Sequence, residues 1–240
     1  MIISNSRKFI FVHVHKTAGS ALKLALQPHL AWNDIVLGGT PFAEVLSPAY
    51  ETAFNLHKHS TIDEIEATCG PEIVNDYYSF AFVRNPLVRT VSLYNYVADL
   101  FRGEGFTMGL THDEMLDAAR AQDPKYFHHI LDWAASRAYY TSPDFSDFIR
   151  SPELESDIGF RPQVESLQSR KGDLMVDQLF KHEHLMRDLP RLWEKLGCRF
   201  MLPVWNRPKY HLLNPGDVSA DDQEFLRARF AEDYVALNYD

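Results

Sequence analysis

Three short stretches of the sequence combine residue types that can hold an anion or move a proton. The first is Val14-His15-Lys16-Thr17-Ala18-Gly19-Ser20-Ala21. Lys16 offers a point charge, Thr17 and Ser20 offer hydroxyl donors, and Gly19 allows close backbone approach or an unusual φ. Between a strand and a helix, such a segment gathers backbone N–H groups at a helix N-terminus, where the dipole also favours an anion. The second stretch is Arg84-Asn85-Pro86, with Ser92 further along. Arginine can grip a phosphate in bidentate fashion, and the serine hydroxyl can add a further bond. The third is His57-Lys58-His59-Ser60, where either imidazole can accept a hydroxyl proton near neutral pH. Each has a plainer reading: a strand-to-helix turn with a surface lysine, an arginine in a structural ion pair, and histidines in a packed core.

Several chemistries are excluded by pattern. A nucleoside-triphosphatase P-loop places its lysine after the last glycine, in Gly-x4-Gly-Lys-Ser/Thr order, whereas here Lys16 precedes Gly19. No GxGxxG is present for a dinucleotide. The His57/His59 and His182/His184 spacings and the His128-His129 pair suggest zinc only superficially. They lack a companion Cys or Glu pattern such as HExxH, so no metal is expected.

The elements that must carry these residues are legible in outline. Lys8–Val14 is a continuous β-branched and aromatic run, as in a parallel strand covered on both faces. Ser79–Val83 is a second such run, and Asp173–Asp177 and Phe200–Val204 are weaker ones. Helical patterns occupy Ser20–Leu30, Pro86–Leu100, Leu185–Leu196 and Ala220–Leu237, the second starting on a proline and the third followed by Gly197. Strands alternating with helices predict an α/β fold with a central parallel sheet of about four or five strands and helices on both faces. Arg84 then falls at the carboxyl end of a strand, where open α/β sheets bind ligands. The stretch 99–162 contains no strand pattern and reads as a mostly helical insertion suited to a substrate lid. The whole chain, 1–240, reads as one domain. The aromatic stripe between Tyr126 and Tyr140 could stack on sugar rings, but its helical spacing favours core packing.

Composition bounds the partners. Net charge is −9, with 33 acidic and 24 basic residues, so there is no global basic field for nucleic acid. A local basic pocket for a small anion remains compatible with that charge, because a few nearby residues set it. The two cysteines, Cys69 and Cys198, are too few for a disulfide scaffold. The first apolar run is only about seven residues long and lacks a cleavage site, so a cytoplasmic location without membrane insertion is expected.

At KTAGS after the first strand and FVRNPLVRTVSLYNY after a later one, the sequence resembles the sulfotransferases that use 3′-phosphoadenosine 5′-phosphosulfate (PAPS). It is similar to the carbohydrate branch that includes heparan sulfate 2-O-sulfotransferase-like and bacterial members. The resemblance implies a P-loop-like three-layer fold and a PAPS co-substrate. It implies that Lys16, Thr17, Ala18, Gly19, Ser20 and Ala21 hold the 5′-phosphosulfate and that Arg84 and Ser92 hold the 3′-phosphate. Ala18 stands where the family usually has glycine. Arg161-Pro162-Gln163 resembles the family's PQ segment, Phe180 to Leu185 its strand-to-helix segment, and Asn206-Arg207 its late asparagine loop, which adds both to the donor-binding set. Ala231 to Tyr234 resembles its C-terminal helix. The second histidine of an H-x-H resembles the family's base, which points to His59, with His57 assisting.

The implied reaction moves a sulfuryl group to a hydroxyl, on a saccharide. Positioning and electrostatics dominate such transfers, so Lys16 is expected to stabilise the leaving oxygen. Glu183 is expected to orient a pocket lysine or arginine, or to cap the helix that starts there. Lys209 and Tyr210 are weaker pocket candidates. An ATP-dependent small-molecule kinase of related fold and a non-catalytic nucleotide-binding module are the alternatives.

Overall fold

A computed structural model describes residues 1–102, 109–123, 129–205 and 209–240. In chain order the elements are β1 (Ile2–Ser4), β2 (Phe9–Val12), α1 (Gly19–Leu26), β3 (Ile35–Val36), α2 (Pro41–Phe54), α3 (Ile62–Cys69), α4 (Pro71–Asp76), β4 (Tyr78–Val83), α5 (Pro86–Arg102), α6 (His112–Arg120), α7 (Ala134–Thr141), α8 (Phe145–Arg150), β5 (Gln178–Lys181), α9 (Leu185–Leu196), α10 (Ala220–Arg229) and α11 (Ala231–Ala236). They divide between two compact units. One comprises 1–85, 162–206 and 232–240; the other comprises 86–161 and 207–231.

The first unit holds a five-stranded sheet of order β3-β1-β2-β4-β5. Its β2-β4-β5 core is parallel, and β1 pairs antiparallel with both β2 and β3. The sheet is therefore mixed, with a hairpin on the side away from β5. This hairpin escapes the sequence pattern because β1 contributes only Ile2, Ile3 and Ser4, too few residues to show a period.

The strands alternate side chains between two apolar layers, as a period of two requires. Phe9, Phe11, Phe80, Phe82 and Phe180 face Leu22 and Leu26 of α1 and Leu185, Leu189, Leu192 and Leu196 of α9. Ile10, Val12, Ala81 and Val83 face Ile62 and Ile65 of α3 and Val74 of α4. The result is three layers, and it explains the unbroken apolar runs: neither sheet face is left to water.

Three expected elements shift. The third parallel strand is Gln178–Lys181 rather than Asp173–Asp177, where Leu174 makes only an isolated bridge to Gln168. Phe200–Val204 is not a strand: Phe200 is buried in the α9 layer while Met201 and Val204 are exposed. The C-terminal helix breaks at Phe230, whose ring is buried against Phe160 at 5.2 Å.

The second unit is helical among its described residues. Its core is aromatic: Tyr94 of α5 lies 5.5 Å from Tyr139 and 5.1 Å from Phe148, ring to ring. Tyr139 and Tyr140 are buried, so this end of the aromatic stripe is core rather than a sugar platform. Tyr126, Phe127 and His128 lie outside the described residues. Arg89 is also buried, donating to the carbonyls of Gly159 and Arg161. Both cysteines are half-buried free thiols. No helix among the described residues is long and apolar enough to cross a membrane.

Candidate functional site

The registers of the parallel core bring three strand ends to one edge, β4 and β5 ending level and β2 two residues short of them. Val12 pairs with Ala81, and Val83 pairs with Lys181. The segments following β2, β4 and β5 therefore emerge together, at the carboxyl edge of the sheet.

After β2 the backbone takes a left-handed conformation at Lys16 (φ 64°) and again at Ala18 (φ 74°, ψ 17°). Alternation of this kind turns N–H groups into a shared concavity. For residues with a Cβ it costs roughly 1–2 kcal/mol each, and strain of this sort collects where a ligand is held. The positive φ is also why glycine suits position 18. α1 begins directly afterwards, with no side chain capping its first N–H groups. Thr17 differs from expectation: its buried hydroxyl donates to the Val14 carbonyl at 2.8 Å, so its proton braces the loop. Ser20 and Ala21 lie in the first turn of α1.

Gly19 is required by close approach. A Cβ there would stand 1.9 Å from Cδ2 of His13. That ring is buried between Phe11 (5.8 Å) and His59 (4.5 Å) and has little room to retreat. Gly19→Ala is expected to lower stability by roughly 1–3 kcal/mol through overpacking. Urea denaturation measures it, and an unchanged midpoint would refute the steric argument.

His59 packs against both histidines that flank the loop, His13 and His15, the latter edge-on at 4.9 Å. Its Nδ1 lies 2.8 Å from the His13 carbonyl. A carbonyl only accepts, so Nδ1 carries the proton and the neutral ring keeps its lone pair on Nε2. Burial, and then the neighbouring His15, hold His59 well below the ordinary histidine range. Burial and then Lys23 do the same for His13. Among the described residues no group of three His, Cys, Asp or Glu side chains is placed to share a metal ion.

His57 occupies a different position. Its Nδ1 accepts the His59 N–H at 3.1 Å, and its Nε2 faces Glu64 at 3.8 Å. Glu64 belongs to the capping box that Thr61 forms at the start of α3. His57 thus shapes the turn that presents His59.

At the end of β4, the Arg84 Nη1 donates to the Lys16 carbonyl at 3.3 Å, joining the second strand end to the first loop. Its Nε is buried without a partner, a donor directed at no protein acceptor. Gln163 brackets the Arg84 backbone, accepting from its N–H (2.9 Å) and donating to its carbonyl (2.8 Å). From the third strand end, Glu183 accepts from the Asn85 N–H at 2.8 Å and from the Tyr239 hydroxyl at 3.1 Å. Burial lowers the Arg84 pKa and Glu183 opposes the shift. Burial, then the Arg84 charge, pushes His182 down to about 4.

Three more of the expected residues, among those described, belong to the second unit. Ser92 lies half-buried on α5, in the second unit. The Lys209 and Tyr210 N–H groups, also in the second unit, both donate to Asp99. Asn206 and Arg207 lie outside the described residues. The structure adds Lys23, which is fully buried and donates to the Leu37 carbonyl at 2.6 Å; burial lowers its pKa to about 8. Its signal was in the spacing, since 19, 22, 23 and 26 form one helical stripe whose other members are apolar or glycine.

A family model described as "Sulfotransferase family" matches residues 1–240. No curated protein and no solved structure matches the chain.

Proposed function

The chain belongs to the sulfotransferase family and is a sulfuryl-transferring enzyme, and from this premise we propose that its donor is PAPS and its acceptor a saccharide hydroxyl. The observation that carries the donor assignment is the Arg84–Lys16 contact. Two anion-holding elements that share a hydrogen bond can both reach one bisphosphorylated adenosine. The unpartnered Arg84 Nε and the left-handed turn at Lys16 and Ala18 fit an anionic ligand on independent grounds.

The donor supplies an activated sulfuryl group: its S–O bond to the 5′-phosphate breaks as a new S–O bond forms to the acceptor oxygen. Lys16 and the loop amides, with Gly19, Ser20 and Ala21 opening the helix, neutralise the charge gathering on the phosphate. Arg84 holds the 3′-phosphate; Ser92, Asn206 and Arg207 have resemblance as their support. His59 Nε2 receives the proton released by the acceptor hydroxyl, and His57 sets the turn. The saccharide acceptor follows from the resemblance of the His57-x-His59 segment to the carbohydrate branch.

Titration calorimetry tests the donor. The protein is expected to bind adenosine 3′,5′-bisphosphate in preference to ADP with Mg²⁺, and Arg84→Ala to weaken that binding about 10- to 100-fold. Preference for ADP with Mg²⁺ would instead indicate a kinase. Labelled-sulfate transfer from PAPS to a glycan panel tests the acceptor.

A further inference from the structure

Arg84 is held by a side chain far away in sequence, and that side chain is held by another. Both backbone polar groups of Arg84 close on Gln163, which is itself 1% exposed. Behind Gln163 stands Asp233, which is fully buried. One carboxylate oxygen accepts from the Gln163 N–H (2.9 Å) and from its Nε2 (3.1 Å). The other accepts from the Val164 N–H (3.0 Å). Three N–H donors compensate a buried negative charge that would otherwise be costly. A neutral amide could not accept all three in the same way, because one of its two ends only donates. The chain that results runs Asp233, Gln163, Arg84, Lys16 carbonyl.

We propose that Gln163 and Asp233 are positioning residues that hold Arg84 for the donor's 3′-phosphate, so that donor binding is coupled to the seating of Asp233 against the Gln163 segment. This rests on the reading that Arg84 meets that phosphate. Its physical basis is preorganisation. A guanidinium on a loose strand end loses conformational freedom when it grips, whereas one fixed in advance loses little. Tolerances of about 0.5 Å separate a working site from a loose one.

The test is a double-mutant cycle on the full chain, titrated with adenosine 3′,5′-bisphosphate. Gln163→Ala is expected to raise Kd about tenfold when Arg84 is present and less than about twofold in the Arg84→Ala background. Asp233→Asn, which keeps shape and volume, is expected to follow the same pattern. In turnover assays both variants should raise KM for PAPS while leaving kcat within about twofold. Hydrogen exchange on the unsubstituted protein needs no variant to fold: saturating bisphosphate is expected to slow the Gln163 and Val164 amides about tenfold. Equal effects in both Arg84 backgrounds, or exchange indifferent to the nucleotide, would overturn the inference. If the unsubstituted protein fails to bind the bisphosphate, the donor reading falls and this inference with it. If it binds and the cycle is additive, this inference alone falls.

Discussion

His59→Ala is expected to lower kcat by about 10²- to 10⁴-fold, the range for a lost general base, with donor-product affinity unchanged. The proton-transfer role proposed for His59 goes with a fixed geometry. The His13 carbonyl selects the tautomer, and the turn around His57 and Ser60 fixes the ring's approach. Its pH behaviour gives a sharper test than the loss itself. The base must be neutral, and burial holds its pKa well below the usual value of 6.5. As pH falls through 6.5 the ring therefore stays neutral, and kcat/KM should hold, declining only further into the acid range. An acid limb centred at or above 6.5 would sink the assignment. The same shift predicts lower fold stability in acid. Below pH 6.5 the unfolded chain takes up protons that the folded His59 and His13 do not, so stability falls as pH is lowered.

Lys16→Ala is expected to reduce kcat by about 10²- to 10³-fold, the loss typical of removing one preorganised donor from a developing anion. The backbone offers a control that separates charge from folding. Lys16 has φ 64°, so Lys16→Gly should relieve about 1–2 kcal/mol of strain while removing the same ammonium. A protein more stable than the parent yet as slow as Lys16→Ala is the expected result in paired denaturation and turnover measurements. Parental turnover in Lys16→Gly would show that the ammonium has no part in the reaction.

The two central strands and the segments after them were readable because their determinants are local. A buried parallel strand needs an unbroken apolar run, and Phe9–Val12 and Tyr78–Val83 show one. The turn at Lys16 to Ser20 and the start of α5 at Pro86 follow from glycine and proline chemistry within a few residues. The antiparallel hairpin was not readable, since β3 has only Ile35 and Val36 and its place is settled by pairing to Ile2 and Ile3. Nor could the sequence rank His57 against His59 by chemistry alone. The two differ in what their Nδ1 atoms meet, a main-chain N–H in one case and a carbonyl in the other.

By itself, then, the sequence determined which residue types stand at the ends of its apolar strands, because strand and turn propensities act over a few residues. Tertiary structure alone decided which of those ends converge and what each side chain is committed to. Strand register brought Arg84 to Lys16, 68 residues away, and a buried carboxylate reached Gln163 across 70. Thr17, read as a ligand donor, became a brace because its nearest acceptor was its own backbone. Such assignments depend on distances of a few ångströms between groups remote along the chain, and only the packed fold defines those distances.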